Sequence, residues 1–177
     1  MAEHGTEHGW DGGLLTVGGQ SAGGALAAAV ARQALEKGGP AIALQILHYP
    51  PLDLVTDARD KRSVIAKPLL RPWMADIFDT SYVPDPALRG DPLVSPAHPS
   101  DTADLTGIAP AVVITPEHEL LRAEGTRYAE RLRGAGALRD HCEVPGADHG
   151  YDKDDAEVAR GVYGLMAQHV RQAVHPD

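Results

Sequence analysis

Leu14-Leu15-Thr16-Val17-Gly18-Gly19-Gln20-Ser21-Ala22-Gly23-Gly24-Ala25-Leu26-Ala27-Ala28-Ala29-Val30 is the stretch that decides the fold. Leu14 to Gly18 predicts a strand, and the alanine-rich run from Ala25 predicts a helix directly behind it. Between them, Gly19-Gln20-Ser21-Ala22-Gly23 is a G-x-S-x-G pentapeptide, which in a strand–turn–helix setting makes a nucleophile elbow. The serine of such a turn is strained, and the flanking glycines let strand and helix backbones approach without Cβ clashes. Gly24 adds a small residue where the helix must pass close to the sheet. A serine so placed sits at a helix N-terminus, where free N–H groups can receive a developing oxyanion.

Working outward from the elbow, strands and helices alternate. The first helix is expected from Ala22 to Lys37, stopped by Gly38-Gly39-Pro40. Ile42 to Leu47 predicts a buried strand ending at His48-Tyr49-Pro50-Pro51. Ala111 to Thr115 predicts a third, bracketed by Pro110 and Pro116. Leu121, Gly125, Tyr128, Ala129 and Leu132 form a helical stripe over 121–133, and His141 to Val144 predicts a short fourth strand. Val158, Val162, Leu165, Met166 and Val170 share one face of a last helix. This order calls for an α/β fold, a mostly parallel sheet with flanking helices, as a single domain over residues 1–177.

The interval 56–99 interrupts the alternation. Leu70, Trp73, Met74, Ile77 and Phe78 fall at helical spacing, followed by Pro84, Pro86, Pro92, Pro96 and Pro99. Two readings stand side by side here: a helix burying its apolar face on the core, or a lid-like insertion whose apolar face lines an acyl pocket.

Sixteen basic against twenty-five acidic residues give a net charge of −9, which argues against nucleic acid or an anionic membrane surface as partner. Nothing approaches the run of apolar residues that a membrane span needs, and the stretch from Met1 to Gly5 lacks the apolar region of a signal peptide. The cytoplasm is therefore the expected location. The one cysteine, Cys142, lies on a predicted strand and excludes an internal disulfide.

A serine hydroxyl needs a base, and the base needs an orienting acid. His149 in Gly146-Ala147-Asp148-His149-Gly150-Tyr151 is the base candidate, at the end of a strand where open α/β sheets place their sites. His4, His8 and His118 compete, but no histidine set has closed zinc spacing, so neither a metal nor a cofactor is expected. Glu119 is the acid candidate, shortly after the third strand. Glu117, Asp53 and Asp148 are its rivals. The chain order Ser21, Glu119, His149 is the order Ser…Asp/Glu…His.

On these residues the chain resembles the hormone-sensitive-lipase-like carboxylesterases of the α/β-hydrolase fold. The matching stretches are Val17 to Ala27, Leu47-His48-Tyr49-Pro50 and Asp91-Pro92-Leu93-Val94-Ser95-Pro96, then Glu117 to Gly125 with Tyr128 to Leu132, and Gly146 to Tyr151. The resemblance implies Ser21 as nucleophile, Glu119 as acid, His149 as base and the Ala22 N–H as one oxyanion donor. It also implies a partial α/β-hydrolase fold, lacking the family's N-terminal strands and their His-Gly-Gly oxyanion loop. Family members usually carry Asp where this chain has Gln20 and Glu119.

Two functions are therefore expected as alternatives. One is a serine hydrolase that cleaves short-chain carboxylic esters through an acyl-enzyme, its partner a small-molecule ester. The other is a truncated or degenerate segment acting as a binding or assembly module. In either, an open sheet edge invites a homodimer.

Overall fold

The computed structural model describes residues 2–175, in which four parallel strands form one sheet in the order β1–β2–β3–β4. The strands are β1 (Leu15–Gln20), β2 (Ile42–His48), β3 (Ala111–Pro116) and β4 (Leu138–Val144). Helices α1 (Ala22–Lys37), α2 (Pro72–Tyr82), α3 (Arg122–Gly134) and α4 (Ala156–Val174) accompany them. Right-handed crossovers stepping in one direction place successive helices on one face of a sheet. Accordingly α1 and α3 share a face, where Ala27, Ala28 and Ala31 meet Leu47, Val113, Tyr128 and Leu132. On the opposite face α4 packs Val162 with Leu44, Ile46, Val112 and Ile114.

Local chemistry explains the boundaries. α1 covers the expected span, and Gly38 closes it in the left-handed conformation at φ 66°, its N–H bonded to the Ala34 carbonyl. β3 is buried along its whole length, as the apolar run from Ala111 requires of a central strand. β1 runs on to Gln20, beyond the expected end at Gly18, because its ladder with β2 continues to the Gln20–His48 pair. β4 begins at Leu138 rather than His141. It lies at the end of the sheet order, and Arg139, His141 and Glu143 interrupt any apolar run that would mark its start.

The core reading of the stripe in 56–99 is corrected by α2. Leu70 is buried, but Trp73, Ile77 and Phe78 are 61%, 54% and 58% exposed, and α2 turns Ala75 and Asp79 inward instead. Ala75 packs with Ala58, Leu70, Leu120 and Leu121, and Met74, the one other stripe residue turned this way, lies against the same cluster. The segment is fastened beneath by a buried ion pair, Lys61 Nζ to Glu124 Oε2 at 2.7 Å. Glu124 Oε1 also accepts from the backbone of Leu52 and Asp53.

Candidate active site

Each candidate residue follows the C-terminal end of a strand, the end at which open parallel sheets gather their ligands. Ser21 follows β1 and occupies φ 50°, ψ −121°, a conformation that an L-residue holds only under strain. The close approach predicted at the elbow is present. A Cβ on Gly19 would lie 2.5 Å from the Gly23 carbonyl carbon, and one on Gly24 would lie 3.0 Å from Gly19 O and from Pro50. Only glycine lets the strand turn into α1 this tightly.

Glu119 follows β3 and is 1% exposed; His149 follows β4. The structure brings these two together, His149 Nδ1 hydrogen bonding Glu119 Oε1. The extra methylene of Glu over Asp is thus accommodated by the loop. Gly150, at φ 72°, turns the chain sharply after the histidine. Among the described residues, the Ser21 hydroxyl makes no hydrogen bond to His149. Its backbone N–H does donate to the His48 carbonyl at 2.9 Å, and the residue after His48, Tyr49, packs its ring against that of His149, tilted by 57° with centroids 4.8 Å apart. Serine and imidazole are therefore tied to consecutive residues where β2 ends, His48 and Tyr49. The Ala22 N–H, in the first turn of α1, has no partner among the described residues and is available to an anion.

The rival acids are engaged elsewhere. Asp53 pairs with Arg127 at 2.6 Å and accepts from Thr56. Glu117 accepts from the Gly146 N–H, and Asp148 from its neighbour's N–H and from Leu69 N. His4 pairs with Glu7 instead of approaching the site.

Electrostatics separate the buried groups. Burial pushes Glu119 up to about 7, against the hydrogen bond and charge of His149, which pull it down; Glu124 and Asp148 add to the rise. Its second oxygen, Oε2, has no partner among the described residues. Burial lowers His48 to about 4, keeping it neutral near pH 7, while its Nε2 meets the Tyr151 hydroxyl at 3.0 Å.

Around this pair lies a network that the sequence reading missed. Asp152 Oδ1 accepts from Tyr49 OH at 2.7 Å, and Oδ2 accepts from Gln20 Nε2 and Tyr163 OH, each at 2.8 Å. Burial alone would raise the Asp152 carboxyl, but these donors and its own backbone N–H hold it below the usual carboxylate range. Tyr49 carries φ 41°, and among the described residues only it and Ser21 are non-glycine residues with positive φ. The one sequence signal was the aromatic residue ahead of Pro50-Pro51, which says nothing of a distant aspartate.

Comparisons with known proteins show the family. A family model described as alpha/beta hydrolase fold matches residues 1–153. Carboxylesterase NlhH of Mycobacterium tuberculosis is 32% identical over 151 residues, covering 85% of this chain and 47% of its own length. Ethyl acetate hydrolase of Pseudomonas putida is 30% identical over 171 residues, covering 94% and 52%. The chain thus spans about half the length of these curated relatives. Among solved structures, an esterase of Pyrobaculum calidifontis superposes with a TM-score of 0.83 at 31% identity, covering 98% of this chain and 57% of that one. The elbow, the parallel sheet and these matches lead to one conclusion: the chain belongs to the α/β-hydrolase fold family, in its hormone-sensitive-lipase-like group.

Proposed function

We propose that this chain carries the catalytic residues of a carboxylesterase acting on short-chain esters. The Ser21 hydroxyl attacks the ester carbonyl while His149 Nε2 takes its proton, and Glu119 steadies the imidazolium through Nδ1. The Ala22 N–H receives the oxyanion, and the alcohol leaves with the proton that His149 returns. Water, deprotonated by the same imidazole, then attacks the acyl-enzyme and frees the acid and Ser21. The observation that carries the reading is the hydrogen bond of His149 to the buried Glu119, at the same sheet end as a serine in a strained elbow. The relatives named as hydrolases of carboxylic esters, one of them of ethyl acetate, support a small ester as substrate. The apolar outer face of α2, with Trp73, Ile77 and Phe78, suits the lid-like role proposed for 56–99.

Release of p-nitrophenol from p-nitrophenyl butyrate by the purified chain, with Ser21→Ala as control, tests this. Equal rates for the two proteins would overturn it. A second reading, an assembly module that dimerises through β1, is favoured by one observation: among the described residues β1 bonds only to β2. An active chain of monomeric native mass would exclude that reading.

A further inference from the structure

We propose that Tyr49 and Asp152 form a positioning unit for His149, and that Gln20 completes it as the donor that holds the Asp152 carboxylate beside the elbow. The proposal rests on the esterase reading and adds residues to its site. Three segments that meet only in the folded chain converge on one carboxylate: Gln20 from the end of β1, Tyr49 from the loop after β2, and Tyr163 from α4. Gln20 Nε2 also lies 2.7 Å from the Tyr163 hydroxyl, so the three donors and the carboxylate close into one network.

That network fixes a ring. Tyr49 is 3% exposed, its ring centroid lies 4.8 Å from that of His149 at 57° and 4.0 Å from that of His48, and its hydroxyl is held by Asp152. Its backbone is strained at φ 41° and pinned by its N–H to the Ile114 carbonyl at 2.9 Å. Strain persists only where the surroundings over-determine it, and it concentrates where geometry matters to function. Glu119 restrains His149 at Nδ1 alone, which leaves the imidazole free to swing about that contact. The Tyr49 ring closes off this swing from one side, and Asp152 keeps the ring in place. Gln20 adjoins Ser21, so the same carboxylate links the base's wall to the nucleophile's strand. An amide suits position 20 because the group opposite is an anion that needs a donor.

A charge exchange tests the assignment. Gln20→Glu sets two carboxylates against each other, and Asp152→Asn removes the charge on which the three donors converge. Together, Gln20→Glu with Asp152→Asn restores the pairing with amide and carboxylate interchanged at unchanged side-chain lengths, the amide oxygen introduced at position 152 still accepting from Tyr49. For p-nitrophenyl butyrate, each single variant is expected to lose about ten-fold in kcat with KM little changed, a loss of orientation and not of binding. The double variant is expected to recover most of that loss, and a double variant no faster than the slower single one overturns the proposal.

A second readout does not depend on turnover. The Cε1–H resonance of His149, assigned with His149→Gln, is expected to shift in Tyr49→Leu, which removes the ring, and to broaden in Tyr49→Phe, which frees it from Asp152. An unchanged resonance in both variants, with the fold intact by circular dichroism, refutes the positioning role. A wild-type chain without turnover refutes the esterase reading instead, and the resonances then decide the positioning role alone.

Discussion

Replacing Glu119 by Gln separates the demands of the fold from those of the chemistry. The substitution keeps the shape and an oxygen acceptor for His149 Nδ1 but removes the ionisation. In the folded chain burial raises Glu119 from 4.5 to about 7, with His149 pulling in the opposite direction. Between those two values the folded chain holds a proton that the unfolded chain has released, so stability falls as pH rises through the window. At 1.36 kcal/mol for each tenfold change in proton affinity, the whole effect is about 3 kcal/mol, most of which falls between pH 5 and pH 8. The Gln variant lacks this slope. The amide N–H left at the unpartnered Oε2 position carries a constant cost of about 1–3 kcal/mol, which cancels when one protein is compared at two pH values. Urea unfolding of both proteins at pH 5 and pH 8 measures the difference, which reports the Glu119–His149 pair as a unit. Parallel pH dependences in the two proteins would refute the reasoning. The ionisation that weakens the fold also arms the pair, so ester turnover of the native chain should rise through about pH 7 and fall by about 10³–10⁴ in the Gln variant.

Other substitutions probe the scaffold. Gly19→Ala forces a Cβ to within 2.5 Å of the Gly23 backbone and should lower stability by about 1–3 kcal/mol, read as a lower urea midpoint. Ser21→Gly relieves an L-residue of φ 50°, and should melt higher than Ser21→Ala by an amount equivalent to about 1 kcal/mol. Lys61→Met leaves Glu124, 2% exposed, without its cation and should cost about 3–5 kcal/mol in chemical unfolding, against little change for Lys67→Met on the exposed surface.

How far the sequence could be read depends on where each signal resides. α1 was legible at both ends because its start and stop are local: a serine turn at one side, Gly38-Gly39-Pro40 at the other. The α3 stripe was legible because Tyr128, Ala129 and Leu132 all face one core. The outward turn of α2 was not, since helical spacing reports that apolar residues share a face and not which way that face points. Ser21, Glu119 and His149 could be nominated from motif and order. The Asp152 network could not, because it joins β1, the loop after β2 and α4 through side chains whose spacing in the chain carries no period. Glu124 was hidden for a related reason: a carboxylate beside an apolar stripe reads as solvated until Lys61 is found inside with it.

Ser21 follows the outermost rung of the ladder. Among the described residues β1 is held along one flank only, and Thr16, Gly18 and Gln20 are exposed. Such a rung can peel away with little loss to the cores built around β2 and β3, so fraying there would undo the elbow long before the remainder melts. Warming is thus expected to silence the chain at a temperature below its calorimetric transition, and amide protons of β1 should exchange ahead of those in β3.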